Sequence, residues 1–75
     1  MFKYQDGSEI KLGDFVRLEN GTVGAVYQII ITADEMQAAR VEEPGVMLDA
    51  IVDGLLYLPS GALAEDPPIL VSRAA

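Results

Sequence analysis

The sequence predicts a mainly β fold, a small five-stranded barrel with one short inserted helix, forming a single domain over residues 1–75. Three observations support this fold. Apolar segments flank an Asn-Gly pair and, later, an Asp-Gly pair, and both pairs are strong hairpin signals. A capping-box pattern between the two hairpins indicates a helix. The chain is also too short for two full sheets, which favours one strongly curved sheet.

The first hairpin is predicted from residues 14–19 and 22–32, on either side of Asn20-Gly21. Residues 14–19 place β-branched and aromatic residues beside charged ones, as a half-buried strand does. Both turn residues tolerate the left-handed conformation that a type I′ turn requires. Gly24 interrupts the return strand, so we expect a bulge or a sharp bend there.

One helix is predicted between the hairpins, over residues 33–40. Thr32 and Glu35 have the spacing of a capping box, in which the hydroxyl and the carboxylate accept hydrogen bonds from backbone N–H groups. Asp34 adds a second acid near the positive end of the helix dipole. The helix must end before Pro44, because the residue before a proline avoids the α conformation.

The remaining chain is predicted to form a second hairpin, one helical turn and a last strand. The hairpin turn is Asp53-Gly54, and Ser60 is the expected cap of the helical turn. The predicted bounds are residues 45–52 and 55–58 for the hairpin strands, 62–65 for the helical turn and 69–73 for the fifth strand.

Acidic residues outnumber basic ones, which bears on the class of partner. Twelve Asp and Glu face five Lys and Arg, so the formal net charge is −7. A nucleic acid or an anionic membrane surface would be repelled unless the basic groups clustered, and they are scattered along the chain. We therefore predict no nucleic acid and no membrane among the partners, and we expect a basic protein.

The side chains of most enzyme and metal sites are missing. The chain contains no Cys and no His, which removes disulfides, most transition-metal sites and the usual proton shuttles. None of the serines has an evident base beside it, and the acidic residues lack the spacing of an EF-hand. The sequence therefore predicts no enzyme activity, no cofactor and no metal.

The first residues do not resemble a secretory signal, because charged and turn residues interrupt them. The longest apolar run, residues 29–31, is far shorter than the roughly 18 residues that indicate a membrane span. We therefore expect a soluble cytoplasmic protein.

The predicted strands contain more apolar residues than one buried face requires. The return strand of the first hairpin is apolar on both sides near its end, and the second hairpin has few polar positions. A helix of two turns is too short to cover the second face, so we predict a homo-oligomer, a dimer or larger. The predicted interface residues are Val26, Ile30, Met47, Leu56 and Leu58.

The predicted function is a non-enzymatic, acidic protein-interaction module that self-associates, with an immunity or antitoxin-like role as one instance. Its predicted partner-binding residues are acids around the helix and one aromatic residue: Asp34, Glu35, Glu42, Glu43 and Tyr57. The alternative function is a small cationic-ligand binder. Its pocket would form at a subunit interface, between apolar walls and one or two carboxylates.

Residues 13–29 carry a pattern of Gly-Asp, alternating Val and Leu, and two further glycines. This pattern resembles the opening hairpin of SH3-like barrels of the KOW type, found in ribosomal proteins and transcription elongation factors. The resemblance implies an SH3-like barrel in which Gly13, Asp14 and Gly24 hold structural positions. The hairpin loop here contains Glu19, whereas KOW loops that contact RNA are usually basic.

A second resemblance covers more of the chain. It rests on Tyr4-x-Asp6-Gly7, Gly13-Asp14, the helical insertion, Gly45-Val46-Met47 and Gly54-Leu55-x-Tyr57. This arrangement is similar to small uncharacterised bacterial proteins of mobile gene neighbourhoods, some of which are suspected immunity proteins. The resemblance implies a biological context and assigns no chemical role to any residue.

Overall fold

The computed structural model describes residues 2–52 and 54–73 and is mainly β. Its five strands are antiparallel and form one sheet, and two short helices follow the second and fourth strands. The elements are β1 Phe15–Arg17, β2 Val23–Ile30, α1 Ala33–Ala39, β3 Gly45–Ala50, β4 Gly54–Pro59, α2 Ser60–Glu65 and β5 Ile69–Ser72. The predicted mainly β class, with a helix between the second and third strands, is confirmed.

The sheet has the strand order β4-β3-β2-β1-β5 and is open. β4 and β5 lie at opposite edges, so the predicted closure into a barrel is not confirmed. The chain passes from one edge to the other through α2, which contacts β4 and β3 and buries Leu63. This helix covers part of the core, so apolar residues on this side are buried although the sheet is open.

The turn between β1 and β2 is a three-residue loop, so the predicted type I′ turn is wrong. The Leu18 N–H donates to the Thr22 carbonyl at 2.7 Å, and Gly21 has a φ of 91°. Asn20 does not have a positive φ, and its side chain accepts a hydrogen bond from the Thr22 N–H at 3.0 Å. The loop is the type in which only the glycine adopts the left-handed conformation.

The bulge in β2 lies between Val26 and Gln28, whereas we predicted a bulge or bend at Gly24. Gly24 pairs in regular register, but a Cβ there would lie 2.8 Å from the Asp49 carbonyl oxygen. Glycine therefore allows β2 and β3 to approach closely. The extra residue in the bulge changes the alternation beyond it, so that Val26 and Ile29 both contact the core.

The predicted capping box of α1 is confirmed. The Glu35 N–H donates to the Thr32 hydroxyl at 3.1 Å, and the Glu35 carboxylate accepts from the Thr32 N–H at 2.9 Å and from the Ile31 N–H at 3.0 Å. These backbone donors lower the pKa of Glu35. The helix ends at Arg40, whose left-handed backbone donates to the carbonyl oxygens of the last turn.

The second helix begins earlier than predicted, and Ser60 is not its cap. Pro59 occupies the cap position without a side-chain hydrogen bond, and Ser60 is the first helical residue. The Ser60 hydroxyl donates instead to the Glu43 carboxylate at 2.7 Å. The predicted turn at Asp53 lies outside the described residues, and Gly54, which follows it, has a φ of 76°.

The core lies on one side of the sheet, between the strands, α2 and the segment before β1. That segment folds back on itself through a bridge between Lys3 and Glu9, and a hydrogen bond of 2.8 Å joins the Ile10 N–H to the Phe2 carbonyl. Neither helix of the described residues is long and apolar enough to cross a bilayer. The core cluster consists of Tyr4, Ile10, Val16, Val26, Val46, Leu48 and Leu63.

Candidate functional site

The side of the sheet opposite the core is the first candidate for a functional surface. Directly paired residues of an antiparallel sheet lie on the same face, so the register determines which side chains share it. We call this surface the outer face. Its paired strand residues are Phe15, Arg17, Val23, Ala25, Gln28, Ile30, Gly45, Met47, Asp49, Leu55, Tyr57, Pro59, Ile69 and Ser72.

The outer face is apolar and has no net charge. Leu55 is 61% exposed and Ile69 is 50% exposed, although both are large aliphatic residues. Arg17 and Asp49 are the only charged residues in the five described strands. No ion pair joins these two side chains within the described part of the chain. Among the described residues, the outer face therefore presents apolar side chains around the unpaired charges of Arg17 and Asp49.

Two of the predicted interface residues are buried within the chain, which makes their assignment to an exposed interface wrong. Val26 lies in the core and is 4% exposed. Ile30 is completely buried, and its strand partner is Gly45, beside which the Tyr57 ring lies. The bulge explains the error for Val26, because strict alternation along β2 places it on the wrong side. Ile30 lies on the same side as Met47, so its burial shows that the chain itself covers this end of the outer face.

The other three predicted interface residues are half-buried and lie on different sides of the sheet. Leu56 and Leu58 are paired with core residues of β3 and pack against the core, so their assignment to the outer surface is wrong. Met47 lies on the outer face, and its role in an interface stays a prediction. The second hairpin is thus apolar on both faces, but Leu55 rather than Leu56 is its most exposed outer leucine.

The predicted partner-binding acids differ in how much of their carboxylate is already occupied. The Glu35 carboxylate caps α1, and the Glu43 carboxylate accepts from Ser60. Asp34 and Glu42 are exposed. The two acids with helix-capping or hydroxyl contacts therefore support local structure, and their role in partner binding stays a prediction.

Tyr57, the predicted aromatic contact, is held in place by the chain before β3. Its hydroxyl donates to the Glu43 carbonyl oxygen at 2.7 Å. Partial burial and the nearby Glu43 carboxylate raise the pKa of Tyr57. The hydroxyl is therefore occupied, and the ring is half-buried on the outer face.

A cleft of about 350 Å³ lies between the β1–β2 loop and α2. Its lining includes three leucines, and two exposed carboxyl groups, those of Glu19 and Asp66, lie at the same site. A hydrogen bond between these carboxyl groups and the repulsion between their charges raise the pKa of Glu19. The complete lining is Leu18, Glu19, Asn20, Leu58, Ala62, Leu63 and Asp66.

Sequence reasoning missed this cleft. Glu19 appears in the sequence as a hairpin-loop acid, and Asp66 as part of an extended segment before two prolines. The two residues are brought together only because α2 crosses from β4 towards β5, beside the β1–β2 loop. No spacing in the sequence indicates this pairing.

Asp14 is a buried carboxylate at 1% exposure. It accepts from the Tyr4 hydroxyl at 2.6 Å and from the Lys11 N–H at 3.0 Å, and the Arg73 guanidinium lies 4.0 Å away. Burial and the Asp14 carboxylate raise the pKa of Tyr4 above its usual range. These contacts join the segment before β1 and the residue after β5 to the sheet, so Asp14 has a structural role.

The described residues contain no group of three or more Cys, Asp or Glu side chains arranged to hold a metal ion. Every buried side-chain nitrogen or oxygen among them has a hydrogen-bond partner. The outer face and the cleft between Glu19 and Asp66 are therefore the candidate functional surfaces. Comparison with known proteins adds no assignment, since no family model, no curated protein and no solved structure matches this chain.

Proposed function

We propose that this chain is a non-enzymatic protein-interaction module that self-associates through its outer face. The exposed aliphatic surface of the outer face supports this most directly, because Leu55 and Ile69 are large side chains with half or more of their surface in water. Burial of such side chains between two molecules is favourable by roughly 25 cal/mol per Å² of apolar surface. An open sheet with an apolar second face is stabilised by covering that face.

The acidic groups support a second contact, with a basic protein. All the described acidic residues except Asp49 lie outside the strands, in loops and helices. The net charge of −7 therefore arises mainly away from the outer face and attracts a basic surface. An immunity or antitoxin-like role in the cytoplasm is one function that such a module performs.

The molar mass in dilute solution tests self-association. We expect a dimer or a larger assembly by light scattering after gel filtration, dissociating as the concentration is lowered. Leu55→Ser should weaken the assembly about tenfold, because it removes one exposed leucine from the outer face. A monomer at millimolar concentration would contradict the proposed self-association.

Leu12→Ser is the matched control for this substitution. Leu12 and Leu55 are both 61% exposed, but Leu12 lies in the segment before β1 and not on the outer face. Leu12→Ser should leave the dissociation constant unchanged. Equal weakening by both substitutions would indicate general surface hydrophobicity and would contradict an interface on the outer face.

The cleft supports a second candidate function, the binding of a small organic cation. The three leucines of the cleft provide an apolar wall, and the carboxyl groups of Glu19 and Asp66 lie beside it. A cation placed between two carboxylates relieves the repulsion that raises the pKa of Glu19. The carboxyl groups come from one chain, so this binding does not require the subunit interface that the sequence predicts.

Butylammonium is a suitable probe for the cleft, with butanol as its uncharged counterpart. We expect butylammonium, but not butanol, to shift the NMR methyl signals of Leu18, Leu58 and Leu63. Glu19→Gln should remove these shifts, whereas Glu42→Gln, which removes an exposed acid outside the cleft, should not. Binding should strengthen as the pH rises through the raised pKa of Glu19, because only the ionised carboxylate attracts the cation. Equal shifts with butanol would contradict this function.

A further inference from the structure

The two charges of the outer face lie on the two strands that flank the central strand of the sheet. β2 is the central strand, with β1 on one side and β3 on the other. Arg17 lies on β1 and Asp49 lies on β3, and their positions differ by two residues along the strands. Two residues of a strand span about 7 Å, a distance comparable to the length of an arginine side chain.

This arrangement is self-complementary. Consider two copies whose outer faces pack against each other, related by a two-fold axis that runs between the sheets and parallel to β2. A rotation of 180° about this axis places β1 of one copy over β3 of the other. Each Arg17 then lies within reach of Asp49 of the second copy, and the contact occurs twice.

We propose that a second copy of this chain covers the outer face, in a two-fold dimer held by two reciprocal ion pairs between Arg17 and Asp49. This inference rests on the self-association proposed above and adds its geometry and its specificity. The aliphatic side chains supply the buried apolar surface, and the two ion pairs determine how the copies align.

The distribution of charge favours a second copy over an acidic or a basic partner. Two chains that each carry a charge of −7 repel each other, but the outer face contains one acid and one base and is neutral. Neither Arg17 nor Asp49 has an ion-pair partner within the described residues of its own chain. A uniformly charged partner would satisfy only one of them and leave the other next to a like charge.

Charge reversal tests this geometry. Arg17→Asp alone and Asp49→Arg alone each place like charges opposite each other twice, so each should raise the dimer dissociation constant at least about tenfold. An equimolar mixture of the two variants should form a heterodimer, because every contact across the interface is then between opposite charges. The double variant should also regain the wild-type dissociation constant. Analytical ultracentrifugation measures the dissociation constants and detects the heterodimer, and circular dichroism confirms that each variant is folded.

Arg40→Asp and Asp34→Arg provide the matched controls, because they make the same charge changes on and beside α1. They should leave the dissociation constant unchanged and should not form a heterodimer when mixed. A wild-type monomer would overturn the proposed self-association itself. Two other results would overturn only this geometry. One is a wild-type dimer that is weakened equally by the outer-face reversals and by the controls. The other is a mixture of the two charge-reversal variants that forms no heterodimer.

Discussion

Replacing Asp14 with alanine is expected to lower the free energy of unfolding by about 2–5 kcal/mol. The carboxylate is 1% exposed and accepts hydrogen bonds from the Tyr4 hydroxyl and the Lys11 N–H. The substitution leaves both donors without their acceptor and removes the carboxylate beside Arg73, whose guanidinium also donates to the Glu9 carbonyl oxygen. A core of this size supplies roughly 3–5 kcal/mol, so the variant should be largely unfolded at room temperature.

Urea unfolding followed by circular dichroism measures this effect. Glu42→Ala is the control, because Glu42 is an exposed acid outside the helices and strands, and its replacement should change stability by less than about 0.5 kcal/mol. Tyr4→Phe removes one of the two hydrogen bonds and should have a smaller effect than Asp14→Ala. If Asp14→Ala unfolds at the same urea concentration as the wild type, the buried cluster does not stabilise the fold.

The same cluster gives a pH dependence at the alkaline end. The folded protein raises the pKa of Tyr4 above its ordinary value of 10.0, so the folded state favours the neutral phenol. The stability that this provides is fully present below pH 10 and is lost as the pH rises through the raised pKa. Tyr4→Phe should not show this loss, which separates the titration of Tyr4 from that of other groups.

Gly45→Val is expected to destabilise the protein by about 3 kcal/mol or more. A Cβ at Gly45 would clash with the nearby Leu58 carbonyl oxygen and would lie 2.7 Å from a ring carbon of Tyr57. The nearer atom belongs to the backbone of β4, which is paired with β3 here. The clash therefore disrupts the β3–β4 ladder, since rotating one side chain does not remove it.

Gly61→Ala is the control for this substitution, because it adds a methyl group at another glycine. No atom lies within 4 Å of a Cβ at Gly61, which is an exposed residue of α2. Alanine there should stabilise the protein by about 0.4–1 kcal/mol, because it restricts the unfolded chain and favours the helix. Thermal unfolding measures both variants, and a Gly45→Val melting temperature equal to that of the wild type would contradict the close approach.

The local elements of this fold were predictable because their signals lie within a few residues of each other. The capping box needs only Thr32 and Glu35, and both of its hydrogen bonds are present. The position of the loop at Gly21 was predicted correctly, but its turn type was wrong. The side chain of Asn20 accepts a hydrogen bond from the backbone N–H two residues later. The number of strands and their succession along the chain followed from such turn signals.

The candidate surfaces were less predictable, since they depend on register and on contacts between distant residues. The bulge after Val26 reverses the side on which its neighbours lie, and alternation along one strand does not reveal a bulge. The cleft joins Glu19 to Asp66 across the molecule. The burial of Asp14 depends on Tyr4 and Arg73, near opposite ends of the chain.

The sequence by itself determined the mainly β class, the succession of strands along the chain, the capped helix and the excess of negative charge. It also indicated that the second hairpin is apolar on both faces. Only the tertiary structure decided that the sheet stays open, which apolar residues fill the core, and which remain on the outer face with Arg17 and Asp49. The physical reason is that turns and caps form between near neighbours in the chain, whereas burial depends on which distant segments reach the same side of the sheet.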